Sequence, residues 1–180
     1  YLQIGNKFQL SYQSKNETKI GSFKVEIIKA ETPAYFNSRN KLHCISSSMS
    51  MVRLLTAENQ KNTEIFHLID DFFNIIKKDD WLMKYILWEL DLLKLSGYDL
   101  NLNKIAKKSL ENNKIQYFVE SLTERKIVPN FLVDVDAQVI DKNDLIKGIN
   151  LVTSYLDKNI LQPNNLNQPL QRVDFINTLK

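Results

Sequence analysis

The chain has 180 residues, 43% hydrophobic and 25% charged, with four glycines, four prolines and a formal net charge of +3. That is the profile of one sizeable globular domain, or of a small module fused to a larger one, and the scarcity of Gly and Pro favours helices over a turn-dense all-β architecture. A single cysteine, Cys44, excludes an intramolecular disulfide and an all-cysteine zinc site, and a reducing cytosol is the simplest compartment. No apolar run of about 18 residues occurs and no signal-peptide pattern opens the chain, so no membrane partner is expected.

Residues 6–14 and 20–29 alternate in the manner of strands, with Phe8, Leu10 and Tyr12 on one face of the first and Phe23, Val25 and Ile27 on one face of the second. The polar stretch 14–19 between them reads as a hairpin loop. Thr32-Pro33 breaks the pattern and sets a boundary, residues 1–31 before it and 32–180 after it. From about Ala34 to Thr56 an apolar period predicts a helix, weakened by Ser46, Ser47 and Ser48. A second helix is predicted with Thr63 as its cap and Phe66, Ile69, Phe73 and Ile76 as its core face.

The most informative stretch runs from Trp81 to Leu102. Between Trp81 and Leu95 the helix is apolar nearly all round, and Gly97 stops it. At about 100° per residue, Lys84, Asp91 and Lys94 gather within about 80° of one another, which makes a narrow polar stripe on a central, buried helix. Glu89 falls on the opposite, apolar side. An ionised carboxylate there requires a cation or a set of N–H donors.

Beyond it, Asn101 or Asn103 is expected to cap a short helix around Lys104–Ser109, and residues 115–121 read as a strand or an irregular segment. Asn143-Asp144 opens a helix to about Asn159, Pro163 ends it, and Pro169 starts a last short helix to Leu179. Neither an internal repeat nor a low-complexity tract is present.

Signals for bond chemistry are weak. His43 and Cys44 are sequence neighbours and so diverge on a helix; His67 with Asp70 and Asp71 fits a solvated helix edge better than an acid/base or metal group. Asp134, Asp136, Asp141 and Asp144 lack the ligand spacing and central Gly of a calcium loop. With neither a phosphate-cradling Gly loop nor a serine elbow, the residues point away from an enzyme, catalytic sites and cofactors included. A metal-dependent hydrolase built on His67 is the enzymatic alternative.

Charge is distributed unevenly. Residues 1–29 hold Lys7, Lys15, Lys19, Lys24 and Lys29 against Glu17 and Glu26; residues 104–126 hold Lys104, Lys107, Lys108, Lys114, Arg125 and Lys126 against Glu111, Glu120 and Glu124. Lys104, Lys107 and Lys108 would share one face of the predicted short helix, where three charges aim at a polyanion. Tyr117 and Phe118 stand nearby, for base stacking or for the core. Lys7, Lys19 and Lys24 with Tyr12 or Phe23 repeat the basic-plus-aromatic theme. For each cluster the competing reading is an ordinary solvated face.

Three stretches resemble the RecO family of bacterial recombination mediators. The run Glu-Leu-x-Leu-Leu-x-x-x-Gly-Tyr-x-Leu-x-Leu from Glu89 to Leu102 is similar to the family's central helix and its stop. Tyr1-Leu2-Gln3-Ile4-Gly5-Asn6 followed by Gly21-Ser22-Phe23-Lys24-Val25-Glu26 resembles the end of its N-terminal barrel. Gly148–Leu156 and then Pro169-Leu170-Gln171-Arg172 resemble its C-terminal helix and Pro-x-x-Arg tail.

The resemblance implies a mainly α fold: a helical-bundle-like domain over 32–180, with 1–31 as the last strands of an OB-type barrel. Because the chain opens on Tyr1, the first portion of that barrel is expected upstream. Many family members carry a four-cysteine zinc site after the Gly-Tyr segment. Here Ile105 and Lys108 stand where its first pair would fall, and packing by Leu102, Ile105, Leu110 and Phe118 is expected to replace the metal.

Implied with the family is a non-enzymatic role in DNA repair and recombination in the bacterial cytoplasm, at the nucleoid. It comprises binding of single- and double-stranded DNA, strand annealing, contact with RecR, capture of the acidic, apolar C-terminal tail of single-strand DNA-binding protein, and help in loading RecA. The DNA-contacting residues expected are Lys7, Lys19, Lys24, Lys104, Lys107, Lys108, Arg125 and Lys126, with Glu89 and Gly97 structural. Lys77, Lys78 or Lys84 would rim the tail pocket. The alternative is a helical adaptor that binds proteins alone.

Overall fold

The computed structural model describes residues 2–14, 16, 20–58, 60–111, 114–120, 125–134 and 141–180. The expected mainly α architecture is what it contains. Helices α1 (Arg39–Leu55), α2 (Thr63–Ile75), α3 (Trp81–Leu95), α5 (Lys142–Leu156) and α6 (Leu170–Leu179) form the body, with a single-turn α4 (Leu102–Ile105) between α3 and a small sheet. A two-stranded hairpin, β1 (Lys7–Gln13) and β2 (Ser22–Lys29), precedes them; an antiparallel sheet of order β3-β4-β5 (Lys107–Glu111, Lys114–Glu120, Arg125–Val128) is inserted before α5.

Helix α3 lies at the centre, as its composition requires. Tyr85, Ile86, Trp88, Leu92 and Leu93 are buried, and the polar stripe falls where expected: Asp91 and Lys94 are exposed and Lys84 pairs with Asp80 at 2.6 Å. Side chains buried this completely contribute on the order of 1.5–3 kcal/mol each. Aromatic rings knit three helices together around it. Phe72 of α2 lies 5.2 Å from Trp88, and Tyr85 meets Phe175 of α6 edge-on at 5.2 Å. The Trp88 indole N–H donates to the Leu68 carbonyl at 2.7 Å, so the polar edge of this large ring is satisfied.

Gly97 ends α3 through backbone geometry. With φ at 87° it takes the left-handed conformation; its N–H donates to the Lys94 carbonyl (3.0 Å), and Tyr98 N–H donates to Leu93 (2.8 Å), the paired bonds of a Schellman motif.

Two of the serines that weaken α1 as an isolated helix, Ser47 and Ser48, sit on its buried side. Ser48 Oγ donates back to the Cys44 carbonyl at 2.7 Å, and Ser47 Oγ lies 3.3 Å from the Tyr85 hydroxyl, so small polar side chains let α1 approach α3 without stranding a donor.

Several boundaries differ from the sequence expectation. A 3₁₀ turn at Thr32–Tyr35 precedes α1, which begins at Arg39, because Pro33 suits the first turn of a short helix. Asn62, one residue before Thr63, caps α2 by accepting from Ile65 N–H at 2.9 Å. Of the expected core face of α2, Phe73 and Ile76 are buried and Ile69 packs partly buried against the core, with Ile65 and Phe72 buried beside them; Phe66 is half exposed. Asp141 caps α5 through Asp144 N–H at 2.7 Å, and one turn of π-helix, Asp157–Leu161, carries the chain beyond it.

Strands β1 and β2 pair with Phe8 opposite Ile27, Leu10 opposite Val25 and Tyr12 opposite Phe23. Among the described residues, the hydrogen bonds that tie the hairpin to the body lie at its base. Lys7 Nζ reaches both oxygens of Asp70 (2.9 and 2.7 Å), Thr32 N–H donates to Asn6 Oδ1 (3.1 Å), and Thr32 Oγ1 donates to the Ile4 carbonyl (2.7 Å). Its apolar side remains exposed at Leu10, Tyr12 and Phe23. Among the described residues, no helix is long and apolar enough to cross a membrane.

Candidate nucleic-acid and peptide interface

The short helix expected around Lys104–Ser109 is corrected by the structure. Helix α4 stops at Ile105, Ala106 is extended (φ −75°, ψ 128°), and Lys107 starts β3. Asn101 takes a left-handed backbone conformation and makes no side-chain cap bond; instead its N–H donates to Asp99 Oδ1 at 2.9 Å. The reason is non-local. The segment pairs with β4, whose Ile115, Tyr117 and Val119 suit a strand, and pairing overrides the helical preference of an isolated Lys-rich stretch. Lys104, Lys107 and Lys108 therefore share no helical face.

On the sheet, side chains alternate. Tyr117 and Val119 pack against the core and Val128 is buried, whereas Phe118 lies on the outer face, opposite Lys107 on β3 and Ile127 on β5. Of the four residues expected to replace the metal by packing, Leu102 is buried; Ile105 and Leu110 are exposed and Phe118 faces outward. The core under this sheet is made instead by Tyr117, Val119 and Val128.

Basic residues of the sheet have distinct surroundings. Lys107 Nζ pairs with Glu120 at 2.7 Å, and this hydrogen bond and charge hold the Glu120 carboxyl below its usual range. Arg125 lays its guanidinium over Phe118, 3.9 Å from Cζ to the ring centroid, with Nη2 donating to Ser109 Oγ at 3.5 Å. Lys104 and Lys108 are exposed, with no ion-pair partner among the described residues. On the hairpin, Lys7 is held by Asp70 and Lys24 by Glu26 at 2.6 Å; Lys19 and Asp136 lie outside the described residues.

A groove of about 750 Å³ opens between α5 and the β5 side of the sheet. Leu100, Leu102, Leu151 and Tyr155 supply apolar walls, and Lys126, Lys147 and Lys158 stand around them. On α5 the lining positions Lys147, Asn150, Leu151, Ser154 and Tyr155 recur at helical spacing, and the π-turn continues the wall to Lys158 and Asn159. Burial, helped by the charge of Asp99, holds the Tyr155 phenol above its ordinary range, so it enters the groove as a neutral hydroxyl. Gly148, one turn from the groove, lets α5 meet Phe131: a Cβ there would stand 2.7 Å from the Phe131 ring. Lys77, Lys78 and Lys84 line neither this groove nor the smaller polar cavity at Arg39, His43 and Asp174.

The helical spacing of the α5 positions is visible in the sequence, but nothing in one helix announces what lies opposite, so Lys147 and Lys158 carry no sequence signal of their own. Glu89 has the cation it requires. Arg172 Nε donates to Oε1 at 2.7 Å and Nη2 to Oε2 at 3.1 Å, while Nη1 donates to Thr153 Oγ1 at 2.8 Å; both charged side chains are wholly buried. Burial works against the guanidinium's charge, yet the charge and hydrogen bonds of Glu89 outweigh it and Arg172 holds its proton more tightly than a free arginine. His43 and Cys44 part as expected, the thiol fully buried, and no group of three or more metal-ligating side chains occurs among the described residues.

The site is thus a helical body locked by an interhelical ion pair, with the small β3–β4–β5 sheet beside a lysine-rimmed apolar groove. Residues 37–163 match the family model "Recombination protein O C terminal", and the chain belongs to the RecO family. It is 32% identical over 114 residues to the DNA repair protein RecO of Ehrlichia chaffeensis, covering 62% of this chain and 47% of that protein. Over nearly the whole chain it is 22% identical to the DNA repair protein RecO of Anaplasma marginale (96% of this chain, 79% of that protein) and 26% identical to that of Rickettsia akari (97% and 77%). No solved structure matches the chain.

Proposed function

We propose that this protein is a non-enzymatic mediator of DNA repair and homologous recombination. It binds single- and double-stranded DNA through sequence-independent contacts, promotes annealing of complementary strands, and works with RecR and single-strand DNA-binding protein to help load RecA, in the cytoplasm at the nucleoid. The observation that carries the reading is the lysine-rimmed apolar groove standing beside the basic β3–β4–β5 sheet. A polyanion and an acidic, apolar peptide are the two ligands such neighbouring surfaces suit.

The groove is the seat assigned to the acidic, apolar tail of single-strand DNA-binding protein. Its apolar walls accept the tail's apolar end, and Lys126, Lys147 and Lys158 meet its carboxylates. The hairpin β1–β2 is assigned to an OB-type barrel as its last strands, which accounts for an apolar sheet face left exposed at Leu10, Tyr12 and Phe23.

Fluorescence anisotropy with labelled single-stranded DNA over a salt series tests the DNA part. Binding that weakens steeply with salt is expected, since lysines release counterions from phosphates. Absence of binding at low salt would remove it. A protein-only adaptor is then the reading left, and the pairing of Lys7, Lys24 and Lys107 with carboxylates favours it by lowering the free positive charge.

A further inference from the structure

We infer that the outer face of the β3–β4–β5 sheet is a stacking site selective for single-stranded nucleic acid, with Phe118 as its platform and Arg125 as a displaceable cap. The inference rests on the DNA-binding reading above and adds to it a place and a selectivity.

Two adjacent aromatic residues of β4 have opposite fates. Tyr117 joins the core; Phe118 stands on the outer face with Lys107 and Ile127 as its cross-strand neighbours. Packing against the body cannot be the use of Phe118, because the body lies on the other side of the sheet. Its ring instead carries the Arg125 guanidinium at 3.9 Å. A guanidinium is a flat cation, and it occupies the face against which a planar base would stack.

Arg125 is an exposed side chain at the first position of β5, so rotation about its own bonds uncovers the ring without moving a strand. A base then takes the place of the guanidinium on Phe118, and the guanidinium turns to the phosphate that arrives with it. The contacts of Arg125 with the ring and with Ser109 are exchanged for a stacked base and a charge-assisted hydrogen bond to phosphate. Ser109, released from Arg125, and Gln116, paired with Ser109 across the strands, offer hydrogen-bonding groups beside the ring. By the strand register Lys107 and Arg125 share this outer face with Glu120, two cations against one carboxylate, whereas Lys108 and Lys126 lie on the face of Tyr117 and Val119; the remaining positive charge suits a polyanion.

Selectivity follows from where the π-faces are. In a duplex every base face is covered by its neighbours in the stack, so Phe118 has nothing to stack on and only the cations contribute. In a single strand the bases can splay onto the ring.

The test is equilibrium binding of the full chain to a mixed-sequence single strand and to the corresponding duplex, with Phe118→Leu, Phe118→Tyr and Arg125→Met as variants and thermal melting as the folding control. Phe118→Leu is expected to weaken single-strand binding about tenfold and duplex binding by less than about twofold. Phe118→Tyr is expected to restore the single-strand value, and Arg125→Met to weaken both ligands through the lost phosphate contact. Equal losses on the two ligands with Phe118→Leu, or no loss on either, would overturn the stacking site while leaving the DNA-binding reading intact. Wild-type protein that binds neither ligand would overturn that reading and this site with it.

Discussion

Arg172 reaches Glu89 across 83 positions of sequence and meets it with two parallel hydrogen bonds, Nε to Oε1 at 2.7 Å and Nη2 to Oε2 at 3.1 Å. The third donor, Nη1, holds Thr153, whose own hydroxyl donates to the Ile149 carbonyl at 2.7 Å. One guanidinium thus joins α3, α5 and α6. Removing one partner leaves a charge buried without its counterpart, and Arg172→Met or Glu89→Leu alone should cost about 3–5 kcal/mol. The double variant Glu89→Leu/Arg172→Met should recover most of that loss, because apolar side chains of similar volume suffer no desolvation. Urea unfolding of the three variants checks both; a double variant as unstable as either single one would contradict the argument.

Alkaline pH should destabilise the fold through the same buried neighbourhood. Burial raises the Cys44 thiol well above its ordinary 9.0, with the Ser48 hydrogen bond opposing and Glu89 adding; burial raises the Tyr85 phenol well above its ordinary 10.0, with Glu89 again adding. Both groups lose protons more readily unfolded than folded. Their contribution is therefore complete below those ordinary values and is lost as pH rises through the folded ones. Melting temperature should fall from about pH 9 upward, and a Cys44→Ala variant should show a shallower fall. The native thiol should also resist alkylation until the protein opens, which mass spectrometry of iodoacetamide-treated protein reads directly.

Lysines already paired with carboxylates should matter less for DNA than those without a partner among the described residues. Lys104→Ala and Lys108→Ala should each reduce the slope of log affinity against log salt by about 0.7 for single strands if each meets one phosphate. Lys24→Ala, which frees Glu26 as it removes a cation, should change binding through a net charge alone. Similar slopes for all three would mean that the phosphates track overall charge rather than these positions.

Reversing two charges on the groove should separate its role from that of the sheet. Lys147→Glu/Lys158→Glu is expected to weaken an acidic, apolar tail peptide by at least about tenfold, a change of about 1.4 kcal/mol, while melting temperature stays close to wild type because both side chains are exposed. Isothermal titration calorimetry gives the first number and calorimetric scanning the second. Undiminished peptide affinity would place the tail elsewhere.

Much of the body was legible because its signals are local. Trp81–Leu95 announces a central helix by being apolar nearly all round, Gly97 announces its end, and Glu89 announces a missing cation. What was not legible depends on residues far apart. Nothing near Glu89 identifies Arg172, although the Pro-x-x-Arg stretch that carries it was visible as a family feature. The lysines at 104, 107 and 108 fit a helical face by spacing, and only pairing with Ile115–Glu120 turns two of them into neighbours on opposite sides of a strand. Strand β5, four residues long and polar at its start, carries too little periodicity to be seen alone. Lys147 and Lys158 escape for the same reason, and Lys126 is visible only as part of a basic segment: α5 supplies one wall of the groove and β5 another, and their meeting is a property of the fold.

The distance in sequence between Glu89 and Arg172 also has a meaning in time. At about 5–20 residues per second, a ribosome needs roughly 4–17 seconds to pass from one codon to the other. Throughout that interval the central helix exists with a carboxylate and no guanidinium to receive it. The apolar helices already made have reason to stay loosely associated, with water still admitted to Glu89, until the last helix arrives. Proteolysis of ribosome-arrested chains carrying an added C-terminal linker, long enough in one set to bring Arg172 out of the exit tunnel and too short in the other, would register the moment at which the body closes.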